Sequence, residues 1–372
     1  MNVLFACAGT GGHINPAIAI AKIILKNNKD TNILFVGTEN GLENKLVKNA
    51  GFEIKHIRTG KIIREFTLKN FSQMYKAYKG ISDAEKIIKE FKPDFVVGTG
   101  GYICVPVMFA AKNNKIPYFL HESNAFPGVS VKLLANKAES VMVGFEAAKD
   151  RLKRKDNVYY TGTPAKFDSK SFDKLDKLKC KKELNLDNID KKIIFITCGS
   201  QGAKYINEVV IDMVCKLKPK DYFVILVTGD KNYDDIKKKV DGYKVEDIEK
   251  YLKLEKFVFD MDKMYKAADV CVTRAGAMTI TELCITEKPS ILIPLPTAAE
   301  NHQFYNAKVL EEVNAAKILE QKNLNINSLN STILEIIKDE NIEKMSINAR
   351  SKMIENVDEK IYNVLEKVVK NK

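Results

Sequence analysis

The stretch VLFACAGTGGHINPAIAIAKII, residues 3–24, runs from a short apolar segment through a glycine turn into apolar residues at helical spacing: Ile14, Ala17, Ile18, Ala21 and Ile24. Strand, glycine turn, helix is the opening of a βαβ unit. Such a turn aims bare backbone N–H groups and a helix N-terminus at an anion. The same grammar restarts at IIFITCGSQGAKYINEVVIDMV, residues 193–214. Two openings of one kind in a chain of 372 residues predict two doubly wound α/β domains rather than one core. Apolar runs at 33–36, 95–97, 118–120 and 141–143 read as strands of the first half. Those at 193–197, 223–227, 256–259, 270–272 and 290–293 read as strands of the second. Helical patterns separate them, which implies parallel sheets. The first turn suits phosphate but is no dinucleotide fingerprint, because Ile14 stands where the third glycine of G-x-G-x-x-G belongs.

The expected division is residues 1–162, 163–340 and a helical tail, 341–372, packing back toward the first domain. The apolar side of that tail is Ile347, Met353, Ile354, Val357, Ile361 and Val364. Residues 162–192 are polar and lysine-rich and read as a linker plus a short helix. Ligands of doubly wound sheets bind at the carboxyl ends of the strands. Two such domains meeting at a linker are therefore expected to frame a cleft with a phosphate loop on each wall, a transferase geometry.

Composition narrows the classes. Seven dispersed cysteines and four separated histidines argue for a reducing cytoplasm and against a disulfide framework or a zinc site. No apolar run approaches the roughly 20 residues of a bilayer span. The first apolar run is short, lacks a basic lead-in and does not read as a signal peptide. Residues 1–160 carry +10 of the net +12. A basic first half suits phosphates, nucleic acid or a membrane surface; it equally fits a lysine-rich surface that keeps the chain in solution. No aromatic and arginine stripe supports nucleic acid.

Several motifs carry chemistry. GTGGYICVP, residues 98–106, repeats the T-G-G of the first turn, either as a second anion loop or as a tight turn. His121, Glu122 and Asn124 follow an apolar run, where an imidazole or carboxylate orients or deprotonates a sugar hydroxyl; the structural alternative is a cap for the next helix. In ADVCVTRAGAMTITE, small residues let backbone approach a diphosphate, Arg274 adds charge, and Glu282 is placed to accept from ribose hydroxyls. Asn301, His302, Gln303 and Asn306 suit neutral sugar hydroxyls, as would a solvated loop. Asp260 and Asp262 form a D-x-D pattern that reads as helix N-capping rather than a metal site. His13 either hydrogen-bonds its turn or serves as a general base.

Taken together, GTGGHINPAIAIA, GTGGYICVP, HESNAFPG, GSQGA, RAGAMTITE and ENHQFYNA resemble, in order and spacing, the MurG family of peptidoglycan N-acetylglucosaminyltransferases. The resemblance runs from about residue 3 to residue 307. It implies a GT-B fold and inverting transfer of N-acetylglucosamine from UDP-N-acetylglucosamine to the muramyl 4-hydroxyl of lipid I, giving lipid II. It implies no cofactor and no tightly held metal. The implied place is the cytoplasmic face of an anionic bacterial plasma membrane, with no nucleic-acid partner. His13 and Glu122 would be the catalytic candidates. Thr10, Gly11, Gly12, Gly101 and Tyr102 would face the lipid diphosphate and reacting sugars, and Asn124 would hold a sugar hydroxyl. Ser200 and Gln201 would meet the donor diphosphate, and Val258 the uracil edge. Arg274, Ala277, Met278 and Glu282 would grip diphosphate and ribose, and Gln303 the transferred sugar.

Three departures stand out. GTPAK replaces the usual G-N-P-x-R, so Lys166 stands where an arginine would make a bidentate contact. Cys198 stands where glycine is common, and Glu300 replaces an aspartate. Phe66, Phe71, Met74, Tyr75 and Tyr78 interleave with Lys69, Lys76 and Lys79, a stripe suited to an anionic bilayer or to packing on the chain's own sheet. The rival readings are a transferase acting on another membrane lipid such as diacylglycerol, a sugar-nucleotide epimerase, and a redox dinucleotide-binding protein using Glu39.

Overall fold

The structure is a computed structural model that describes residues 1–59, 69–199 and 202–369, with 69–77 and 367–369 described in backbone only. The first sheet is built from β1 (Asn2–Ala6), β2 (Asn32–Gly37), β3 (Glu53–His56), β4 (Phe95–Gly98), β5 (Tyr118–Glu122), β6 (Ser140–Val143) and β7 (Val158–Tyr160). The second holds β8 (Lys192–Thr197), β9 (Tyr222–Val227), β10 (Leu252–Glu255), β11 (Val270–Thr273), β12 (Ser290–Leu292) and β13 (Ala316–Ile318). Their orders are β3-β2-β1-β4-β5-β6-β7 and β10-β9-β8-β11-β12-β13. All pairings are parallel.

Strands covered by helices on both faces need apolar residues on both, so they read as continuous hydrophobic runs. In β1, Leu4 and Ala6 enter one core cluster while Val3 and Phe5 enter the other, all fully buried. The strand order reverses between β1 and β4 in one sheet and between β8 and β11 in the other. Crevices for ligands open at such switch points. The glycine turns met in the sequence leave these four strands.

Two compact units result: Met1–Ala165 with Ile354–Lys372, and Lys166–Met353. The expected 162/163 and 340/341 divisions thus fall at 165/166 and 353/354. Residues 162–192 hold two short helices where one was expected. Asp168 caps helix Ser169–Asp173 through Ser171 N–H at 2.7 Å, and Asp176 caps helix Lys177–Glu183 through Lys179 N–H at 2.8 Å. Phe172, Cys180 and Leu186 are buried in the second unit. The tail is two helices, not one. Asp339–Arg350 stays with the second unit, Ile347 is 64% exposed, and the chain turns at Asn356 (φ 54°). Val357–Val369 then lays Ile361, Val364 and Leu365 on the first unit's core beside Phe5 and Ile20.

The strand expected at 256–259 lies earlier, at Leu252–Glu255, because its partner β9 ends at Val227 and the chain turns at Gly229 (φ 80°). Phe257 and Phe259 therefore project beyond the sheet, 38% and 88% exposed. All seven cysteines are free and buried. Among the described residues, no helix is long and apolar enough to cross a membrane.

Candidate active site

In the first unit, the turns after β1 and β4 interlock. Gly9 (φ 103°) turns the chain so that helix Gly11–Asn27 begins at the crevice, with Thr10 at its N-cap in extended conformation. The Gly9 N–H is taken by Glu43 Oε2 at 3.3 Å. The N–H groups of Gly11 and Gly12 stand in the first turn of that helix, where no intrahelical acceptor is available. The second T-G-G exists because the first lies on it. A Cβ at Gly100 (φ 103°) would stand 2.7 Å from His13 Nδ1, and one at Gly101 (φ 84°) 2.5 Å from the Ala8 carbonyl oxygen. Tyr102 follows, half-buried.

His13 is fixed by a reciprocal pair. Its Nδ1 lies 3.1 Å from the Thr99 carbonyl, and the Thr99 hydroxyl donates to the His13 carbonyl at 2.6 Å. A carbonyl only accepts, so Nδ1 carries the proton and Nε2 keeps its lone pair. Burial holds the imidazole below its ordinary range, against the Thr99 contact. A neutral ring with a bare Nε2 is the state a general base needs.

The HESN segment places its side chains differently from the sequence expectation. His121 is fully buried, donating from Nε2 to the Gly162 carbonyl at 3.1 Å while Nδ1 accepts from the Ser123 hydroxyl at 3.3 Å. Burial pushes it down to about 4. It locks β5 to the turn after β7. Glu122 is 2% exposed, and its oxygens accept from the Asn124 N–H (2.9 Å), the Asn124 amide (3.0 Å) and the Gly128 N–H (2.8 Å). Gly128 is the N-cap of helix Val129–Leu134, so the carboxylate organises the loop and cap. These bonds match the helix-cap alternative for Glu122. Asn124, held by it, is the half-buried group of the three.

The second unit builds the other crevice. Ser200 and Gln201 lie outside the described residues; on either side Gly199 (φ 78°) and Gly202 (φ 67°) make the turn after β8, where a Cβ on Gly202 would meet the Thr228 carbonyl oxygen at 1.8 Å. After β11, Gly276 caps helix Ala277–Ile285 without a side-chain bond, so the N–H groups of Ala277 and Met278 face outward from the helix start. Arg274 donates from Nη1 to the Ile293 and Pro294 carbonyls, each at 3.1 Å, and from Nη2 to Gln321 Oε1 at 2.6 Å. The first two bonds brace the segment after β12, and the third ties it to Gln321 beyond β13. Beneath it Cys198 is pushed up to about 11 by burial, against the pull of Arg274.

Glu282 is buried, and its Oε2 accepts from the Tyr265 hydroxyl at 3.2 Å. Burial raises its carboxyl, while the Lys166 charge and the Tyr265 bond oppose the rise. Lys166 itself is exposed. Gln303 accepts from the Leu295 N–H at 2.9 Å, which fixes its amide. Val258 is half-buried in the loop after β10. Asp260 occupies the N-cap position of helix Met261–Ala267 but makes no cap bond, reaching Lys263 instead at 3.5 Å. Among the described residues, no group of three or more metal-type ligands converges.

Residues 3–143 match the glycosyltransferase family 28 N-terminal domain, and residues 193–361 match the family 28 C-terminal domain. The chain belongs to glycosyltransferase family 28. It is 39% identical over 100% of its length to a UDP-N-acetylglucosamine--N-acetylmuramyl-(pentapeptide) pyrophosphoryl-undecaprenol N-acetylglucosamine transferase of Acetivibrio thermocellus, covering 99% of that protein. A Thermoanaerobacter protein of the same name is 40% identical over 99% of this chain and 100% of its own. The crystal structure of Acinetobacter baumannii MurG superposes with a TM-score of 0.77 at 26% identity, covering 98% of this chain and 99% of that one. The S. aureus MnaA–UDP co-structure, at 18% identity and a TM-score of 0.69, shares the fold across 100% of this chain and 97% of its own. The two parallel-sheet units are thus the GT-B pair of a family 28 transferase.

Two residues that shape these turns do not stand out in the sequence. Glu43, fully buried, ties the β1 turn to the loop after β2, and Tyr265 holds Glu282. Each sits at an apolar-side position of a helix, where one sequence shows only a helix acid and a core aromatic.

Proposed function

We infer that this chain transfers N-acetylglucosamine from UDP-N-acetylglucosamine to the muramyl sugar of an undecaprenyl-pyrophosphoryl N-acetylmuramyl-pentapeptide, forming lipid II. Full-length identity near 40% to transferases of that name carries the reading. The tautomer of His13 supplies its chemistry. The acceptor 4-hydroxyl oxygen attacks the anomeric carbon from the face opposite UDP. The bond to the β-phosphate oxygen breaks, and UDP leaves with the electron pair. His13 Nε2 takes the hydroxyl proton, and inversion follows from the single displacement.

The acceptor diphosphate is assigned to the N–H groups of Gly11 and Gly12 with Gly101 and Tyr102 beside them, and Asn124 to a sugar hydroxyl. On the donor side, Arg274 and the Ala277–Met278 amides take the diphosphate, and Glu282 the ribose. Val258 takes the uracil edge and Gln303 the transferred sugar. Lys166 supports Glu282 by charge rather than by a bidentate grip. Membrane attachment is assigned to the first unit, whose basic balance and exposed Tyr78 (72%) suit an anionic surface. The remainder of the proposed stripe, Phe66, Lys69, Phe71, Met74, Tyr75 and Lys76, lies outside the described side chains.

The deciding experiment incubates the protein with UDP-N-acetylglucosamine labelled in the sugar, a short-chain lipid I analogue and EDTA. Label is expected in the lipid fraction without added metal. Label moving to diacylglycerol instead, or epimerised sugar nucleotide forming without acceptor, would replace the reading by one of its rivals.

A further inference from the structure

Arg274, assigned above to the donor diphosphate, is held by three neutral acceptors and, among the described residues, by no carboxylate. The Ile293 and Pro294 carbonyls each lie 3.1 Å from Nη1, and Gln321 Oε1 lies 2.6 Å from Nη2. The charge is therefore fixed in place but not neutralised. Burial pulls the guanidinium below its ordinary range, the direction expected of a cation without a counter-charge. The three bonds are not equivalent. Two bonds on Nη1 fix one nitrogen and leave the guanidinium plane free to swing about it. The bond from Nη2 stops that swing. A guanidinium only donates, so the oxygen of the Gln321 amide must face it.

Gln321 stands 47 positions beyond Arg274, in a segment that is itself tightly framed. After β13 the Leu319 N–H donates to the Leu292 carbonyl at 2.9 Å, which carries the chain past the end of β12. The turn Gln321–Asn323 follows, with the Asn323 N–H returning to the Glu320 carbonyl at 2.9 Å and the Leu324 N–H to the Gln321 carbonyl at 3.2 Å. Leu324 is buried, and its carbonyl accepts from the Tyr205 hydroxyl at 2.9 Å. Tyr205 belongs to the first turn of helix Lys204–Leu217, which leaves the glycine turn after β8. Beyond the turn, the Ser328 N–H donates to Asn325 Oδ1 at 3.0 Å and the Asn325 N–H to the Ser328 hydroxyl at 2.9 Å, a reciprocal cap on helix Ile326–Ile336. Strand, helix cap and donor-side helix thus set where Gln321 starts. Holding a half-buried glutamine in one conformation costs rotamer freedom, and the bond to Arg274 is what its amide oxygen makes among the described residues.

We propose that Gln321 is a positioning residue for the donor: by fixing the plane of the Arg274 guanidinium, it presents that cation to the diphosphate without neutralising it. The proposal rests on the assignment of Arg274 to the diphosphate. A carboxylate at this position would hold the plane as well, but it would form an ion pair with Arg274 and compete with the diphosphate. A cation already oriented loses less freedom when the ligand arrives, so the gain appears as diphosphate affinity.

The test measures equilibrium binding of UDP and of uridine to the full chain by calorimetric titration. The ratio of the two dissociation constants isolates what the diphosphate contributes. The wild-type chain is expected to bind UDP at least about tenfold more tightly than uridine. Gln321→Met, equal in length but without an acceptor, is expected to weaken UDP about tenfold. Uridine binding is expected to stay unchanged, which also reports an intact pocket. Gln321→Glu is expected to weaken UDP further, again sparing uridine. Arg274→Met removes the cation, and in that background Gln321→Met is expected to cost nothing more, because residues that act through one another are not additive. Equal weakening of UDP and uridine, no weakening of either, or a fully additive loss in the double variant would overturn the proposal. Equal binding of UDP and uridine by the wild-type chain would instead overturn the assignment of Arg274 to the diphosphate, and the positioning role with it.

Discussion

At His13 the proposed base role turns on one proton. The Thr99 carbonyl pins it on Nδ1, and burial keeps the ring neutral. His13→Ala is expected to lower kcat by about 10²–10⁴-fold, the range for loss of a general base. The donor KM should change far less, because the nucleotide is assigned to other residues. Since burial lowers the pKa, the base stays unprotonated below the ordinary histidine range. The acid limb of the kcat profile is therefore expected below about pH 6.5; initial rates across that region check it, and a limb above that value would remove His13 from the role. Tyr265 is a positioning residue of the same kind. Its hydroxyl fixes one oxygen of Glu282, the residue proposed to hold the ribose. Hydrogen bonds to charged groups contribute about 1.5–3 kcal/mol. Tyr265→Phe is expected to raise the KM for UDP-N-acetylglucosamine by about tenfold or more and to erase discrimination against a 2′-deoxyuridine donor. A loss equal for both donors would mean a packing defect only.

At the level of elements, most strands were legible because buried parallel strands leave long apolar runs, and β1, β5, β9 and β11 fall where those runs are. Register was not legible at β10, where the K-F-V-F run is more apolar than the true strand but has no partner beyond Val227. β3, β7 and β13 escaped because edge strands are short and half polar. The glycine turns were legible as turns, but the reason for the second pair was not. Gly100 and Gly101 are demanded by His13 and Ala8, close in space yet about 90 positions away in sequence, and one sequence carries no such distances. The HESN segment was legible only as two alternatives, a reactive cluster or a helix cap, because the partners of His121 and Glu122 are set by the fold. His121 gives this a measurable sign. Its folded pKa, about 4, lies below the unfolded value near about 6.5. The unfolded chain thus binds the extra proton, and the stability from a neutral buried ring is fully present above that value and lost as pH falls toward 4. The span corresponds to about 3 kcal/mol. Urea unfolding of wild type and His121→Asn between pH 7 and 4 should show the variant less pH-dependent; parallel slopes would count against the assignment.

For the whole molecule, the decisive feature is that the first unit is discontinuous in sequence. The chain completes the second unit and then returns, so that Val357–Val369 closes the core begun by β1 and helix Gly11–Asn27. The sequence marked this tail as amphipathic, but not where it breaks. The break at Asn356 in left-handed conformation separates a helix belonging to one core from a helix belonging to the other. Ile361, Val364 and Leu365 are buried to 0%, 6% and 2% exposure. At about 1.5–3 kcal/mol for each fully buried side chain, losing them costs an amount comparable to the roughly 5–15 kcal/mol that holds a domain together. Ending the chain before Asn356 is therefore expected to unfold the first unit while leaving the second folded. Calorimetry separates the two, because a ligand raises the stability only of the unit that binds it, by about 2.7 kcal/mol at a hundred times its Kd. In the full chain, UDP is expected to raise one transition and leave the other in place. In the truncated chain the UDP-sensitive transition persists and the insensitive one is lost. Equal displacement of both transitions by the truncation would show that the two cores do not unfold as independent units, and that the terminal helix supports more than the sheet it covers.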